Sequence, residues 1–323
     1  MIISRTPFRL SFAGGGSDLE SFYKEEEGAV LSTALDKYMY ITANHRFDHT
    51  IRLSYSKTEI HEKVEQIEHP IFKNVLQKYL PQGGIELISM ADIPSGSGLG
   101  SSSSFTVGLL HALKGYLGKF QTAENLAGEA CDIEIKELHE PIGKQDQYIA
   151  AYGGLQFIRF MPNGETHVDP VVCSSDTRKK LEESCLLFFT GLTRNAKDVL
   201  TEQRSNTESK REELRSMVNI ARKMKIVLEK NSKLEIFGKL LDEAWQIKRS
   251  LASNISTTQI DEWYSRALRA GALGGKILGA GSGGFLMVFV EPTLKNRVRQ
   301  ELKELRQFEC GFDTQGSKII FMG

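Results

Sequence analysis

The chain predicts an α+β protein of two domains, and three observations carry that expectation. Its first half alternates short strand-like runs with helical ones. From about residue 209 the texture changes to long amphipathic helices. A single glycine-rich stretch, "GALGGKILGAGSGGFLMVFVEP", interrupts those helices. The boundary is expected at 181–186, before "SCLLFFTG", which divides the chain into residues 1–183 and 184–323.

The elements follow in order. "MIISRTPFRLSFAGG" is extended and rich in alternating apolar residues. "SDLESFYKEEEG" reads as a helix, with Ser17 and Glu20 at capping-box spacing and Gly28 as its C-cap. "YMYITANHRF" and "TIRLSYS" read as paired strands. "IFKNVLQKYL" is helical, and "GIELISMADIP" is a strand that runs into "PSGSGLGSSSS" and the helix "FTVGLLHALKGYLG". Residues 122–138 form a helix with Thr122 as its cap, and "GKQDQYIAAYGG" opens another. "SKREELRSMVNIARKMKIVLEK", "LEIFGKLLDEAWQIKRSLA" and "TQIDEWYSRALRAG" are amphipathic helices. A helix near 293–307 and the strand "SKIIFMG" close the chain.

Composition narrows the function classes. Basic and acidic side chains balance at 41 each, so no global field draws the protein to nucleic acid or an anionic membrane. Hydrophobic residues at 40% and charged residues at 25% are ordinary for a globular protein. Cys131, Cys173, Cys185 and Cys310 form no CxxC pair and read as small buried hydrophobes in a reducing compartment. The N-terminus lacks a long apolar core after a basic start, and no apolar run nears membrane-spanning length, so a cytoplasmic protein is expected. Apolar helix faces in the C-terminal half would also suit a homodimer.

The loop at 94–104 has the chemistry of an anion site. A strand, a glycine-rich turn and a helix start bring unpaired N–H groups and the helix dipole to one point, and serine hydroxyls add donors. One such hydroxyl can ligate magnesium carried by phosphates. A flexible linker or a serine-capped helix start would have the same composition. GxxxxGK[ST] is absent, which excludes the Walker-type loop. "GAGSGG" at 279–284 matches GxGxxG, but a strand follows where a dinucleotide site requires a helix.

The carboxylates form the second group of candidates. Asp18 follows the "GGG" of residues 14–16; it is either a favourable charge near a helix start or a grip for sugar hydroxyls. Glu134 lies on the same helical face as Ala127, Ala130, Cys131 and Leu138, and a buried carboxylate must be paired, protonated or bound to metal. Asp146 stands in a first helical turn, where the dipole keeps it ionised as a base requires.

Together these stretches resemble the GHMP small-molecule kinases. "TPFRLSFAGGGSDL" is similar to the first family motif, "PSGSGLGSSSS" to the second and "KILGAGSGGFLMV" to the third, in the family's order. "GKQDQY" resembles the segment that carries the catalytic Asp of the sugar kinases. Within the family, "GGGSDL", "GKQDQY…AAYGGLQF" and "FFTGLTRNAKDVL" resemble the D-glycero-D-manno-heptose 7-phosphate kinases. The first motif also resembles that of fucokinase, the nearest rival.

The resemblance implies an S5-like N-terminal domain and a ferredoxin-like C-terminal domain, with ATP and substrate between them. Pro94, Gly96, Ser97, Gly98, Leu99, Gly100, Ser101, Ser102 and Ser103 would wrap the ATP phosphates. Ser102 and Glu134 would hold Mg²⁺, Asp146 would be the base, and Arg9 the cation beside it. Gly15, Gly16 and Asp18 would meet the sugar, and Gly281, Ser282 and Gly283 would close the site. The implied reaction transfers the γ-phosphoryl to the anomeric hydroxyl of heptose 7-phosphate, giving the 1,7-bisphosphate. A substrate phosphate needs a further cation: Arg194 is preferred for its two-pronged geometry, with Lys144 as an alternative, while Lys197 in the same stretch reads as an ordinary surface charge. A sensor that merely binds sugar would need no base, which disfavours a binding-only role.

Overall fold

A computed structural model describes every residue except 193–195. The chain begins with β1 (Ile2–Ala13), the one-turn helix α1 (Glu20–Tyr23) and the long strand β2 (Gly28–His45). β3 (Ile51–Ser54), β4 (Thr58–His61), α2 (Pro70–Tyr79) and β5 (Ile85–Ala91) follow. Then come α3 (Ser101–Tyr116), α4 (Ala123–Cys131), a π-helical turn over Asp132–Glu137, α5 (Gln145–Tyr152) and the hairpin of β6 (Leu155–Phe160) and β7 (Thr166–Pro170). The second half holds α6 (Ser175–Ser184), β8 (Cys185–Phe189), α7 (Ala196–Ser205), α8 (Arg211–Glu229), α9 (Leu234–Arg249) and α10 (Thr258–Arg269). β9 (Ala272–Ile277), β10 (Phe285–Val290), α11 (Lys295–Glu301), β11 (Arg306–Phe308), β12 (Phe312–Asp313) and β13 (Lys318–Met322) complete it.

Two sheets organise these elements. The larger has nine strands along the path β13-β1-β2-β5-β3-β4, with β6, β7 and β12 joined to it. The smaller is antiparallel in the order β11-β8-β10-β9. This is the α+β architecture that the sequence predicts. β10 directly follows "GAGSGG", so that glycine run lies between two strands and opens no helix.

Five expectations are corrected. β2 and β3 are not partners: β5 lies between them, antiparallel to β2 and parallel to β3. The intervening loop holds β5 there, because Arg46 N–H donates to Gly84 O at 3.0 Å and Gly84 N–H donates to His49 O at 3.0 Å. Ser17 caps no helix; its hydroxyl donates to Gly14 O at 2.8 Å and accepts from Ala29 N–H at 3.0 Å, lacing the glycine turn to β2. Gly28 opens β2 rather than ending a helix, since a Cβ there would stand 2.0 Å from Ser17 O. At the far end, β12 pairs with β2 and β13 with β1, so the last residues return to the first sheet although the sequence assigns 184–323 whole to the second domain. The helix expected over 293–307 is shorter, because Arg306–Phe308 is taken up as an edge strand beside β8.

The fold brings three structures to one place. β1 has register shifts between Pro7 and Arg9 and between Ser11 and Ala13, and such bulges re-aim side chains. α3 lies close on β1: Ser4 Oγ donates to Gly108 O at 2.7 Å, and Ser104 Oγ donates to Pro7 O at 2.8 Å. A Cβ at Gly108 would stand 2.9 Å from Thr6 Oγ1, so a smaller gap is available only to glycine. In the second half, Gly238 lets α9 settle on β9, where a Cβ would meet that of Leu273 at 2.5 Å. The halves share one apolar core, with Phe12 of β1 edge-on to Phe237 of α9 at 5.1 Å. The acidic run 25–27 grips α8 through Arg211, Arg215 and Arg222.

Candidate active site

A cavity of about 320 Å³ opens between the two halves, lined by the three glycine-rich motifs and the start of α5. Gly96, Gly98 and Gly100 have φ of 74°, 82° and 79°, the left-handed region that glycine enters without a Cβ penalty. Gly100 is the N-cap of α3 and supplies no side-chain cap, which leaves the first-turn N–H groups facing the cavity side. Gly96, Gly98, Gly100, Ser101, Ser102 and Ser103 line the cavity. Pro94, Ser97 and Leu99 do not: Pro94 is exposed outside it, and Ser97 and Leu99 are buried behind the loop.

Arg9 and Asp146 meet at the centre. Arg9 Nε donates to Asp146 Oδ1 at 2.7 Å and Nη2 donates to Oδ2 at 2.7 Å, a two-pronged pair. Arg9 Nη1 also donates to Gly98 O at 2.6 Å, which ties the pair to the loop. The arginine is buried, whereas the Asp146 side chain keeps 22% exposure, so the carboxylate is the half that a ligand can reach.

Asp18 is buried alongside. It accepts from Gly16 N–H at 2.8 Å and from Gln145 Nε2 at 3.1 Å. Burial raises its pKa, with Asp146 adding repulsion, while the Gly16 hydrogen bond opposes both. Gly143 is required here, since a Cβ would fall 2.0 Å from Asp18 Oδ2. Gly15 and Gly16 line the same wall.

Glu134 sits one layer behind the loop, in the π-helical turn that interrupts the expected helix. Such turns widen a helix locally and recur at functional sites. It is fully buried, accepts from Ser102 Oγ at 2.7 Å and Gln147 Nε2 at 2.7 Å, and has its pKa raised by burial. No salt bridge neutralises it among the described residues, so the pairing alternative falls away.

Gly281 and Gly283 line the cavity, but two candidates do not. The Ser282 hydroxyl donates to Asn254 O, and Ser282 is absent from the cavity lining. Lys144 Nζ donates to Gly164 O at 2.9 Å and lies 4.5 Å over the Tyr23 ring, because Lys144 is the residue before α5 and projects from its outer face. Lys197 stands at the cavity mouth with Glu140, at 2.7 Å. Arg194 lies outside the described residues.

Sequence reasoning missed two buried lysines in the cavity wall. Lys248 donates from Nζ to Gly279 O and, at 3.4 Å, to Ile277 O. Burial, then the neighbouring Arg9, lower its pKa to about 8. Lys276 donates to Ser11 O at 2.9 Å and Phe12 O at 3.2 Å, and burial together with Lys248 and Arg9 depresses it further. A signal existed for Lys248: it continues the α9 face of Phe237, Leu241, Ala244 and Trp245, all buried.

Comparisons with known proteins give the family. The GHMP kinase N-terminal domain model matches residues 53–154, and the GHMP kinase C-terminal model matches 220–306. A D-glycero-alpha-D-manno-heptose 7-phosphate kinase of Campylobacter jejuni is 30% identical, over 98% of both chains. The chain belongs to the GHMP kinase family. A crystal structure of a D-glycero-D-manno-heptose 1-phosphate kinase from Bacteroides thetaiotaomicron superposes with a TM-score of 0.82 at 26% identity, covering 100% of each chain. A bifunctional fucokinase/GDP-fucose pyrophosphorylase of Arabidopsis thaliana is 26% identical over 94% of this chain and 31% of its own length. This GHMP kinase is therefore a sugar kinase, a phosphotransferase with an alcohol group as acceptor and ATP as the expected donor. No described helix is long and apolar enough to cross a membrane.

Proposed function

We propose that this kinase transfers the γ-phosphoryl of ATP to the anomeric hydroxyl of D-glycero-D-manno-heptose 7-phosphate, giving the 1,7-bisphosphate. The observation that carries the reaction is the Arg9–Asp146 pair, held at 2.7 Å beside an uncapped glycine-rich helix start. The choice of sugar rests on the 30% identity, along the whole chain, to a heptose 7-phosphate kinase.

Asp146 accepts the proton of the attacking hydroxyl, and Arg9 holds the carboxylate in place through two hydrogen bonds. Asp18, already holding Gly16 and Gln145, takes sugar hydroxyls on its free lone pairs. The N–H groups of Ser101, Ser102 and Ser103 meet phosphate oxygens. Gly281 and Gly283 close the cavity without side chains.

The residues present also fit Mg²⁺. Magnesium takes few protein oxygens when phosphates supply the rest, and Ser102 Oγ and Glu134 Oε1 are two hard oxygens 2.7 Å apart. The ion would neutralise charge on the bridging phosphate oxygens. For the sugar phosphate, Lys197 at the mouth and Arg194 are the candidate cations.

The test is ADP release with Mg·ATP against a panel: heptose 7-phosphate, unphosphorylated heptose, fucose, galactose and mevalonate. Turnover confined to the 7-phosphate is the expected result. Preference for a free sugar would overturn the heptose phosphate assignment and favour a fucokinase-like specificity.

A further inference from the structure

We propose that Lys248 is a catalytic residue, its ammonium group contacting the transferred phosphoryl group from the C-terminal wall, opposite Arg9. This rests on the reading of the cavity as a phosphoryl-transfer site.

The geometry leaves the amine a donor to spare. An ammonium carries three N–H donors, and Lys248 uses two on Gly279 O and Ile277 O, which leaves one for the cavity it lines. It enters no ion pair with a carboxylate among the described residues, whereas Arg9 is matched by Asp146. A lysine in a last helical turn ordinarily serves its own helix's carbonyls. Lys248 instead reaches across to the third glycine motif. Burying an ammonium without a counter-charge is costly, and an arriving phosphoryl group removes that cost.

Its position fits that ligand. Gly279, which Lys248 holds, is pressed on the phosphate loop: a Cβ at Gly279 would stand 2.6 Å from the Gly98 Cα. Gly98 O in turn accepts from Arg9 at 2.6 Å. The amine therefore stands where the donor loop, the third motif and the Arg9–Asp146 pair converge. The charged groups that face it are Arg9 from β1, Asp18 from the glycine turn, Asp146 from α5 and Lys276 from β9. Lys276 Nζ is held by Ser11 O at 2.9 Å and Phe12 O at 3.2 Å, on β1.

In the transfer, the bond from the γ-phosphorus to the β–γ bridging oxygen breaks, and its electron pair leaves with ADP. The sugar oxygen bonds to phosphorus, and its proton passes to Asp146. Lys248 neither gives nor takes a proton; it offsets the charge on the phosphoryl oxygens. That function exists while the amine is protonated. With a pKa of about 8 in the free enzyme, kcat/KM should fall as pH rises through that value.

The experiment compares wild type, Lys248→Met and Lys248→Arg on the sugar that the wild type prefers, across pH 6–10, with circular dichroism to check folding. Loss of one such charge typically lowers kcat by about 10²–10³-fold, so Lys248→Met should do so with little change in either KM. Lys248→Arg should keep part of the activity and lose the alkaline limb near pH 8, because a guanidinium stays charged. If Lys248→Met fails to fold, the arginine profile decides alone. Unchanged kcat with a raised KM for the sugar phosphate would overturn the proposal, as would an arginine variant with the wild-type alkaline limb. Failure of the wild type on every heptose phosphate refutes the substrate reading only; Lys248 is then judged on whichever sugar turns over.

Discussion

The two walls of the cavity hold their charges differently. On the N-terminal wall, Arg9 is matched by Asp146 through two hydrogen bonds of 2.7 Å, and phosphates would meet backbone N–H groups and hydroxyls. On the C-terminal wall, Lys248 and Lys276 are buried, and among the described residues their hydrogen-bond partners are backbone carbonyls. A matched pair supports the fold before any ligand arrives. An unmatched buried cation opposes folding until an anion joins it. The site is thus stable on one side and waiting for charge on the other.

Substitution on the matched side should have the largest catalytic effect. Asp146→Asn should lower kcat by at least about 10²-fold, the low end of general-base contributions, with ATP affinity little changed. Steady-state kinetics with ADP detection checks this, and near-normal turnover would remove Asp146 from the mechanism. The same variant leaves Arg9 buried without its carboxylate and should melt lower than wild type.

The loop between the walls comes next. Gly98→Ala places a Cβ 2.5 Å from Leu278 O at a φ of 82°. A strained non-glycine residue there costs about 1–3 kcal/mol. Melting temperature and nucleotide titration should both show the loss, since the loop that contacts the third motif is the loop that would bind phosphate.

Glu134→Gln keeps hydrogen bonds to Ser102 and Gln147 but removes the buried charge. The Mg²⁺ concentration for half-maximal activity should rise about tenfold, as for loss of a ligand-shell interaction. Stability has a defined sign. The folded pKa of Glu134 is raised, so the native state holds the proton more tightly, and the contribution is present at low pH and lost as pH rises through the folded pKa. The wild type should therefore lose more stability than the variant between pH 4 and pH 7, read by denaturant titration. An equal loss would contradict the buried, unmatched state of Glu134.

The smallest effect is expected far from both walls. Arg222→Ala removes a half-exposed pair with Glu27 at 2.7 Å. It should cost less than about 1 kcal/mol and leave kcat unchanged.

What could be read from the sequence follows the same division. The phosphate loop, Asp146, Glu134 and Asp18 announce themselves through local chemistry: glycine and serine at a helix start, a carboxylate in a first turn, a charge in an apolar stripe. Long periodic helices such as α8, α9 and α10 were legible for the same reason. The return of β13 to β1 and the insertion of β5 between β2 and β3 were not, because pairing partners depend on distant loops such as the Arg46–Gly84 contact. Lys144 and Ser282 occupy motif positions yet do not line the cavity, since a backbone motif fixes where a residue sits and not where its side chain points. Lys248 was hidden by its type. A lysine near a helix end ordinarily belongs to the surface, and only the packing of α9 on β9 turns this one inward.

The measurement that tests the contrast most directly is the melting temperature of Lys248→Met, without ligand, at pH 7. Lowering the pKa from 10.5 to about 8 corresponds to at most about 3 kcal/mol of unfavourable burial of the charged form. Removing the charge should raise the melting temperature by several degrees while activity falls. A variant that melts lower than the wild type would mean that Lys248 supports the fold, and the unmatched wall would not be held in wait for a ligand.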